Sequence, residues 1–336
     1  MVQINAAGEG LKAGCVARQT ARIEIGVLSL GKREIGKKMQ PKVIQDAGER
    51  PLVLFSDSSG IIANMTFLQR ALLFAELAMI AYNNEDEATR AAQAIGFSDV
   101  TFFNHRGAQA YRFRNRHNSV IACRGTEPNE WTDIRADVDA VSVLAETAGK
   151  VHRGFKREVD NLWPMLETSL MNNDDPVYFV GHSLGGAMAK ICACRCLLSH
   201  ISTNPQQLFT YGSPRVGNRS YVKFVTLDHY RFVNNNDIVT RVPPIWFGYQ
   251  HSGHEVYFNR HGQIKRYSYL MKRRDRWRGF FSGILRWKVD HVADHSIHRY
   301  CENLVRAVMA EKELMASGGE PYSPCRLALA PPDEPH

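Results

Sequence analysis

Residues 66–82 (TFLQRALLFAELAMIAY) are apolar on nearly every side, which predicts a helix buried all round rather than along one stripe. The most apolar part, 71–82, is twelve residues long and contains Glu76. It falls short of the roughly 20 apolar residues that a bilayer crossing needs, so it reads as a core helix. Residues 101–103, 110–113 and 119–123 predict short strands. From 151 to 171, Phe155, Val159, Leu162, Met165 and Leu166 return at helical spacing. An apolar strand at 176–180 (PVYFV) then precedes a small-residue helix at 184–200. Strands at 207–211 and 229–233 flank a helix at 218–226. A hairpin is expected at 255–258 and 264–269, turning at His261-Gly262, and a long helix at about 294–313.

Strands alternating with helices through the middle of the chain predict an α/β fold: a mostly parallel central sheet with helices on both faces. Residues 1–60 mix glycine, charge and short apolar pieces without a sustained period and read as an N-terminal extension. The main domain is expected at 61–315. From 316 to 336 the chain holds five of its 14 prolines and reads as a flexible tail. Within the domain, residues 272–288 (KRRDRWRGFFSGILRWK) form a distinct basic insertion. Trp277, Phe280, Phe281, Ile284 and Leu285 fall on one helical stripe that Arg273, Arg276 and Arg278 largely avoid. Two readings stand for it: a helix packed on the body, or a docking element for an anionic membrane or lipid surface.

Composition narrows the classes. The 336 residues are 44% hydrophobic and 23% charged, which is globular and excludes a disordered or collagen-like chain. The net charge is +8, but residues 12–42 and 272–288 each carry +6, so the remainder is −4. A nucleic-acid binder more often spreads its positive charge over a reading surface, so no nucleic-acid partner is expected. Seven cysteines are present, and Cys192, Cys194 and Cys196 sit two apart on a predicted helix, where successive members diverge. Buried free thiols in a reducing compartment are the expected state, with no metal site. No signal-like apolar run opens the chain, because Lys12, Arg18, Arg22 and Glu24 interrupt it. A cytoplasmic location is therefore expected, with non-classical secretion as the alternative.

The chemistry concentrates in Gly181-His182-Ser183-Leu184-Gly185, a G-x-S-x-G pattern between an apolar strand and a helix. Such a turn is tight enough to strain the serine backbone and expose its hydroxyl as a nucleophile. A serine needs a base, and the base needs an orienting acid, expected in the order Ser, Asp, His. Asp237 follows the strand HYRFV, at the edge where α/β sheets build their sites, whereas Asp228 precedes it. His291, His295 and His298 compete for the base. The N–H of Leu184 is one expected oxyanion donor, and Thr126, in the turn after strand 119–123, is the other. Glu127, Pro128 and Trp131 beside that turn are candidates for a lid. No metal or organic cofactor is required.

Several motifs in order resemble the fungal-type (class 3) lipases of the α/β-hydrolase superfamily. They are RGT at 124–126 with Trp131 and Asp137 beyond it, VHRGF at 151–155 and GHSLGGA at 181–187. YGSPRVGN at 211–218, NNDIVTRVPP at 235–244 and DHSIHRY at 294–300 follow. The likeness spans roughly 65–310. It implies an α/β-hydrolase fold, Ser183 as nucleophile, Asp237 as acid and His295 as base, Thr126 and Leu184 as the oxyanion hole, and a lid over 127–137. It further implies a carboxylic ester hydrolase acting on lipid or other ester substrates, with an acylglycerol lipase as first choice. A phospholipase A1-type enzyme or a short-chain esterase is the alternative within that chemistry, and a catalytically silent lipid-binding protein the alternative outside it. Residues 1–60 and 272–288 have no counterpart in the family core, and the disulfides and signal peptide of secreted fungal members are absent.

Overall fold

The computed structural model describes residues 39–44, 51–58, 60–125, 141–146, 148–171, 173–199, 201, 203, 205–224, 226–268, 270–275 and 293–324. Residues 41–336 make one compact unit; of the other, 1–40, only Met39 and Gln40 are described.

A seven-stranded sheet organises the body. Its strands are β1 (Asp99–His105), β2 (Ala108–Arg114), β3 (Ser119–Cys123), β4 (Val177–His182), β5 (Pro205–Tyr211), β6 (Asp228–Asn234) and β7 (His254–Phe258), and they lie side by side in chain order. The first three are antiparallel to one another, and β3 through β7 run parallel. Parallel strands covered on both faces should be apolar throughout, and every residue of β3 and β4 is buried. The two-residue alternation of a strand divides these side chains between the faces. On β4, Val177 and Phe179 join the core formed with α3 (Arg153–Leu170) and α4 (Leu184–Leu198), while Tyr178 meets Phe74 of α1 (Phe67–Ile80) on the other side. On β5, Leu208 and Phe209 divide in the same way.

Helix α1 starts at a capping box in which the Thr66 hydroxyl accepts from the Gln69 N–H and the Gln69 side chain accepts from the Thr66 N–H. It is flanked by α2 (Glu85–Ala94) and packs on α6 (Ile297–Ala316), which closes the body. Short α5 (Arg219–Phe224) carries Tyr221 into the α3–α4 core. A small antiparallel sheet of Tyr249–Gln250, Gly217–Asn218, Lys150–His152 and Ser142–Leu144 lies apart from the main one. Lys150–His152 pairs there, so the helix expected from 151 begins only at Arg153.

Three other expectations change. The hairpin after residue 254 forms only in part: β7 pairs in parallel with β6, and the returning arm meets β7 at one antiparallel bridge, Phe258 to Ile264, with Lys265 N–H donating to the Tyr257 carbonyl at 3.0 Å. The Asn259 side chain accepts the N–H groups of His261 and Gln263 and so satisfies much of the turn locally. The expected flexible tail stays docked at first, because Tyr322 stacks near Phe67 at 5.6 Å and its N–H donates to Glu311 at 2.8 Å. Residues 325–336 lie outside the described residues. Part of the expected extension is likewise tied to the body: Ser58 N–H donates to Ile95 at 2.7 Å, and Asn115 donates to the Ser58 carbonyl at 2.8 Å. Cys123, Cys192, Cys194, Cys196 and Cys301 are buried free thiols. Among the described residues no helix is long and apolar enough to cross a membrane.

Glu76, the one acid in α1's apolar face, accepts the Phe55 and Ser56 N–H groups at 2.7 and 3.1 Å. Burial outweighs these donors and pushes its carboxyl up to about 7. A folded-state value above the unfolded one means that stability falls as pH rises from about 4.5 to about 7. Urea unfolding at pH 5 and pH 8 is expected to show Glu76→Gln gaining on the parent by about 3 kcal/mol across that interval. A difference that does not change with pH would place the charge elsewhere.

Candidate active site

Strand β4 ends in a reversal that only a small set of residues permits. Ser183 has φ 59° and ψ −131°, a conformation that L side chains rarely adopt. Its N–H donates to the Tyr211 carbonyl at 2.9 Å, and its own carbonyl accepts from Gly186 at 3.0 Å, so α4 begins directly after it. A Cβ on Gly181 would stand 2.6 Å from the Gly186 nitrogen, and one on Gly185 would stand 2.8 Å from the Arg124 carbonyl carbon. Glycine at both positions is therefore what lets the helix fold back over the strand end. Leu184 is the first residue of α4, and the N–H groups of a first helical turn have no partner within the helix. They also sit at the positive end of the helix dipole.

Asp237 lies three residues beyond the end of β6, and His295 closes the 3-10 turn Ala293–His295 that precedes α6. His295 Nε2 is 2.8 Å from Ser183 Oγ, and Nδ1 is 3.0 Å from each Asp237 carboxylate oxygen. Ser183 and Asp237 are fully buried and His295 is 5% exposed. Of the three competing histidines, His295 is the one that meets both partners. His298 is exposed on α6, and His291 lies outside the described residues. Asp228 is exposed at the start of β6, the opposite edge of the sheet.

Two residues with no role assigned from the sequence complete the acid's surroundings. The Tyr300 hydroxyl donates to Asp237 Oδ2 at 2.6 Å and accepts the Asn234 N–H at 3.0 Å, while the Val239 N–H donates to Oδ1 at 2.9 Å. Burial, and then the Asp237 charge, push the Tyr300 phenol well above its ordinary range, so it keeps its proton for Asp237. Gly212, just past β5, has φ 59°; a Cβ there would lie 2.6 Å from Asp237 Oδ2 and 3.0 Å from His295 Nδ1. Both residues sit inside motifs quoted above. A phenol on the buried stripe of the last helix was the available signal for Tyr300.

Gly125 leaves β3 beside the elbow, where a Cβ would lie 2.7 Å from the His182 carbonyl oxygen and 3.3 Å from Ser183 Cβ. The second oxyanion candidate, Thr126, lies outside the described residues, as do Glu127, Pro128, Trp131 and Asp137. Trp277, Phe280, Phe281 and Arg276 of the basic segment also lie outside them. Arg273 is exposed on the helical turn at 270–275, and Asp275 is buried, accepting from the Tyr257 hydroxyl at 2.9 Å and the Arg260 N–H at 3.3 Å.

The arrangement can pass a proton from a serine hydroxyl to an imidazole that a buried carboxylate orients. Among known proteins, this chain is similar to several lipases. Residues 120–247 match the family model Lipase (class 3). The secreted mono- and diacylglycerol lipase 1 of Fusarium solani is 44% identical over 163 residues, 46% of this chain and 47% of that protein. The toxin TseL of Vibrio cholerae is 40% identical over 119 residues, 34% of this chain and 18% of TseL, and the lipase of Rhizomucor miehei is 35% identical over 127 residues, 35% of each. The chain thus spans less than half the length of these curated relatives. A solved structure titled "A serine protease triad forms the catalytic centre of a triacylglycerol lipase" is 26% identical, with a TM-score of 0.48, over 57% of this chain and 80% of that one.

One expectation is overturned. Relatives from Fusarium solani, Malassezia restricta and Penicillium cyclopium are named as secreted, so the cytoplasmic location, and the reducing compartment inferred with it, are withdrawn. The ordered motifs, the strand–elbow–helix geometry and the match over residues 120–247 make this chain similar to the class 3 lipases.

Proposed function

We propose that this protein hydrolyses carboxylic esters carried in lipid, acylglycerols first among them, through Ser183, His295 and Asp237. The observation that carries the reading is the unbroken hydrogen-bond chain from Ser183 Oγ through the His295 ring to Asp237. His295 Nε2 takes the serine proton as Oγ attacks the acyl carbonyl, and Asp237 stabilises the imidazolium that forms. The N–H of Leu184, with Thr126 as its expected companion, receives the negative charge of the tetrahedral intermediate. His295 then protonates the leaving alcohol, and water releases the acid from the acyl-enzyme by the same steps. The names of the matched relatives, lipases and mono- and diacylglycerol lipases, support the substrate class. A fluorophosphonate probe is expected to label the parent and not Ser183→Ala. An unlabelled parent would leave a lipid-binding protein without the chemistry.

A lipid-borne substrate is also supported by an exposed apolar turn. The segment after Asp237 holds Ile245, Trp246 and Phe247 in one 3-10 turn at 63, 79 and 59% exposure. Their backbone is tied down, because Arg215 N–H donates to Val242 at 2.7 Å and its guanidinium to Pro243 at 2.9 Å. Exposed aromatics on a fixed turn suit insertion into a lipid surface. Ser183 is fully buried, and the expected lid at 127–137 lies outside the described residues. Trp246→Ser is expected to slow hydrolysis of an emulsified long-chain acylglycerol about tenfold, with a soluble short-chain ester unchanged. Equal losses on both substrates would remove the turn from lipid binding.

A further inference from the structure

The histidine inside the elbow, His182, is not among the residues that touch the reacting atoms, yet it is buried between two of the loops that do. Its Nε2 is 2.6 Å from the backbone carbonyl of His295, and its Nδ1 is 2.8 Å from the Tyr82 hydroxyl. A carbonyl can only accept, so Nε2 carries the proton and Nδ1 accepts from the tyrosine. The two imidazoles lie tilted against each other, with centroids 4.6 Å apart and planes 33° apart. Tyr82 follows α1, and its hydroxyl occupies the space that a Cβ on Gly125 would need. One tyrosine thus touches the turn leaving β3, the elbow, and through His182 the loop that carries the base.

We propose that His182, held in one tautomer and orientation by Tyr82, is a positioning residue that sets the height of the His295 backbone and so the approach of its ring to Ser183. Beside it, Asn234 donates to the Asp294 carbonyl at 2.9 Å, and the His295 ring meets Asp237 and Ser183. The imidazole between Ser183 and Asp237 must keep both contacts while its charge changes, so a small shift of its backbone lengthens one of them. Misplacement of a catalytic group by about 1 Å costs on the order of 100-fold in rate. His182 is suited to the part because it stays neutral: burial, and then the neighbouring His295, hold its imidazole well below the ordinary range. A neutral ring keeps a lone pair for the Tyr82 O–H and adds no charge against the imidazolium that forms on His295.

The inference rests on the reading of Ser183 and His295 given above, and its test separates the two. Steady-state kinetics on a soluble short-chain ester, with the rate of fluorophosphonate labelling of Ser183, would be measured for Tyr82→Phe, His182→Leu, His182→Gln and the Tyr82→Phe/His182→Leu pair. Tyr82→Phe is expected to lower kcat about tenfold and His182→Leu about 100-fold, with KM within about twofold in both. Glutamine, whose amide can donate to the same carbonyl and accept from Tyr82, is expected to restore kcat to within about threefold of the parent. The double variant is expected to be no slower than His182→Leu alone, since the tyrosine acts only through the histidine. Additive losses, an unchanged kcat in Tyr82→Phe, or glutamine no better than leucine would overturn the proposal. If His182→Leu does not fold, Tyr82→Phe and His182→Gln decide the matter. A parent that resists fluorophosphonate labelling would instead overturn the hydrolase reading, whatever the variants do.

Discussion

His295→Ala is expected to lower kcat on a soluble ester by about 10⁴-fold while shifting the thermal midpoint by only a few degrees. The asymmetry follows from what the ring touches. Its two nitrogens spend their hydrogen bonds on Ser183 and Asp237, and the imidazole is small beside the aromatic core on that face of the sheet. His298→Ala, one helical turn further on and exposed, is expected to keep full activity. Steady-state kinetics and calorimetry on the two variants check this directly. Activity that survives in His295→Ala and vanishes in His298→Ala would move the base.

Gly212→Ala is expected to cost about 100- to 1,000-fold in kcat, although residue 212 takes no part in the chemistry. A methyl group there would stand 2.6 Å from Asp237 Oδ2 and 3.0 Å from both His295 Nδ1 and Cε1. The carboxylate lies beneath Tyr300 and the Val239 N–H, so it moves only by giving up those donors. The left-handed backbone adds a cost of about 1 kcal/mol for any L side chain. Kinetics and fluorophosphonate labelling should fall together, with a drop in the thermal midpoint of several degrees. Parental kinetics in Gly212→Ala would mean that the acid has room to move.

Much of this molecule is legible along the chain. The all-round apolar run of α1, the apolar strands β3 and β4, and the strand–elbow–helix sequence around Ser183 each follow from local spacing that water and backbone sterics impose. Motifs in the order of the class 3 lipases implied the fold class and pointed to Ser183, Asp237 and His295. Local patterns read less well where a partner outside the pattern decides. The strand at Lys150–His152 shortens a helix that periodicity alone would start earlier, and β7 joins β6 in parallel while its returning arm keeps only one bridge.

The sequence by itself determined the elements, the parallel α/β architecture and the presence of a serine elbow, because helix and strand periods and glycine requirements act over a few neighbouring residues. Spacing along the chain left three histidines open, and it is the tertiary structure that brings His295 onto the serine, since Ser183 and His295 stand 112 residues apart and Asp237 and His295 stand 58 apart. It alone brought Tyr300 under Asp237, Gly212 against both, and Tyr82 onto His182 across 100 residues. These contacts are set by how sheet edges and helices close on one another. A hydrogen bond needs its partners within about 3 Å, a distance that no spacing along the chain encodes for residues this far apart.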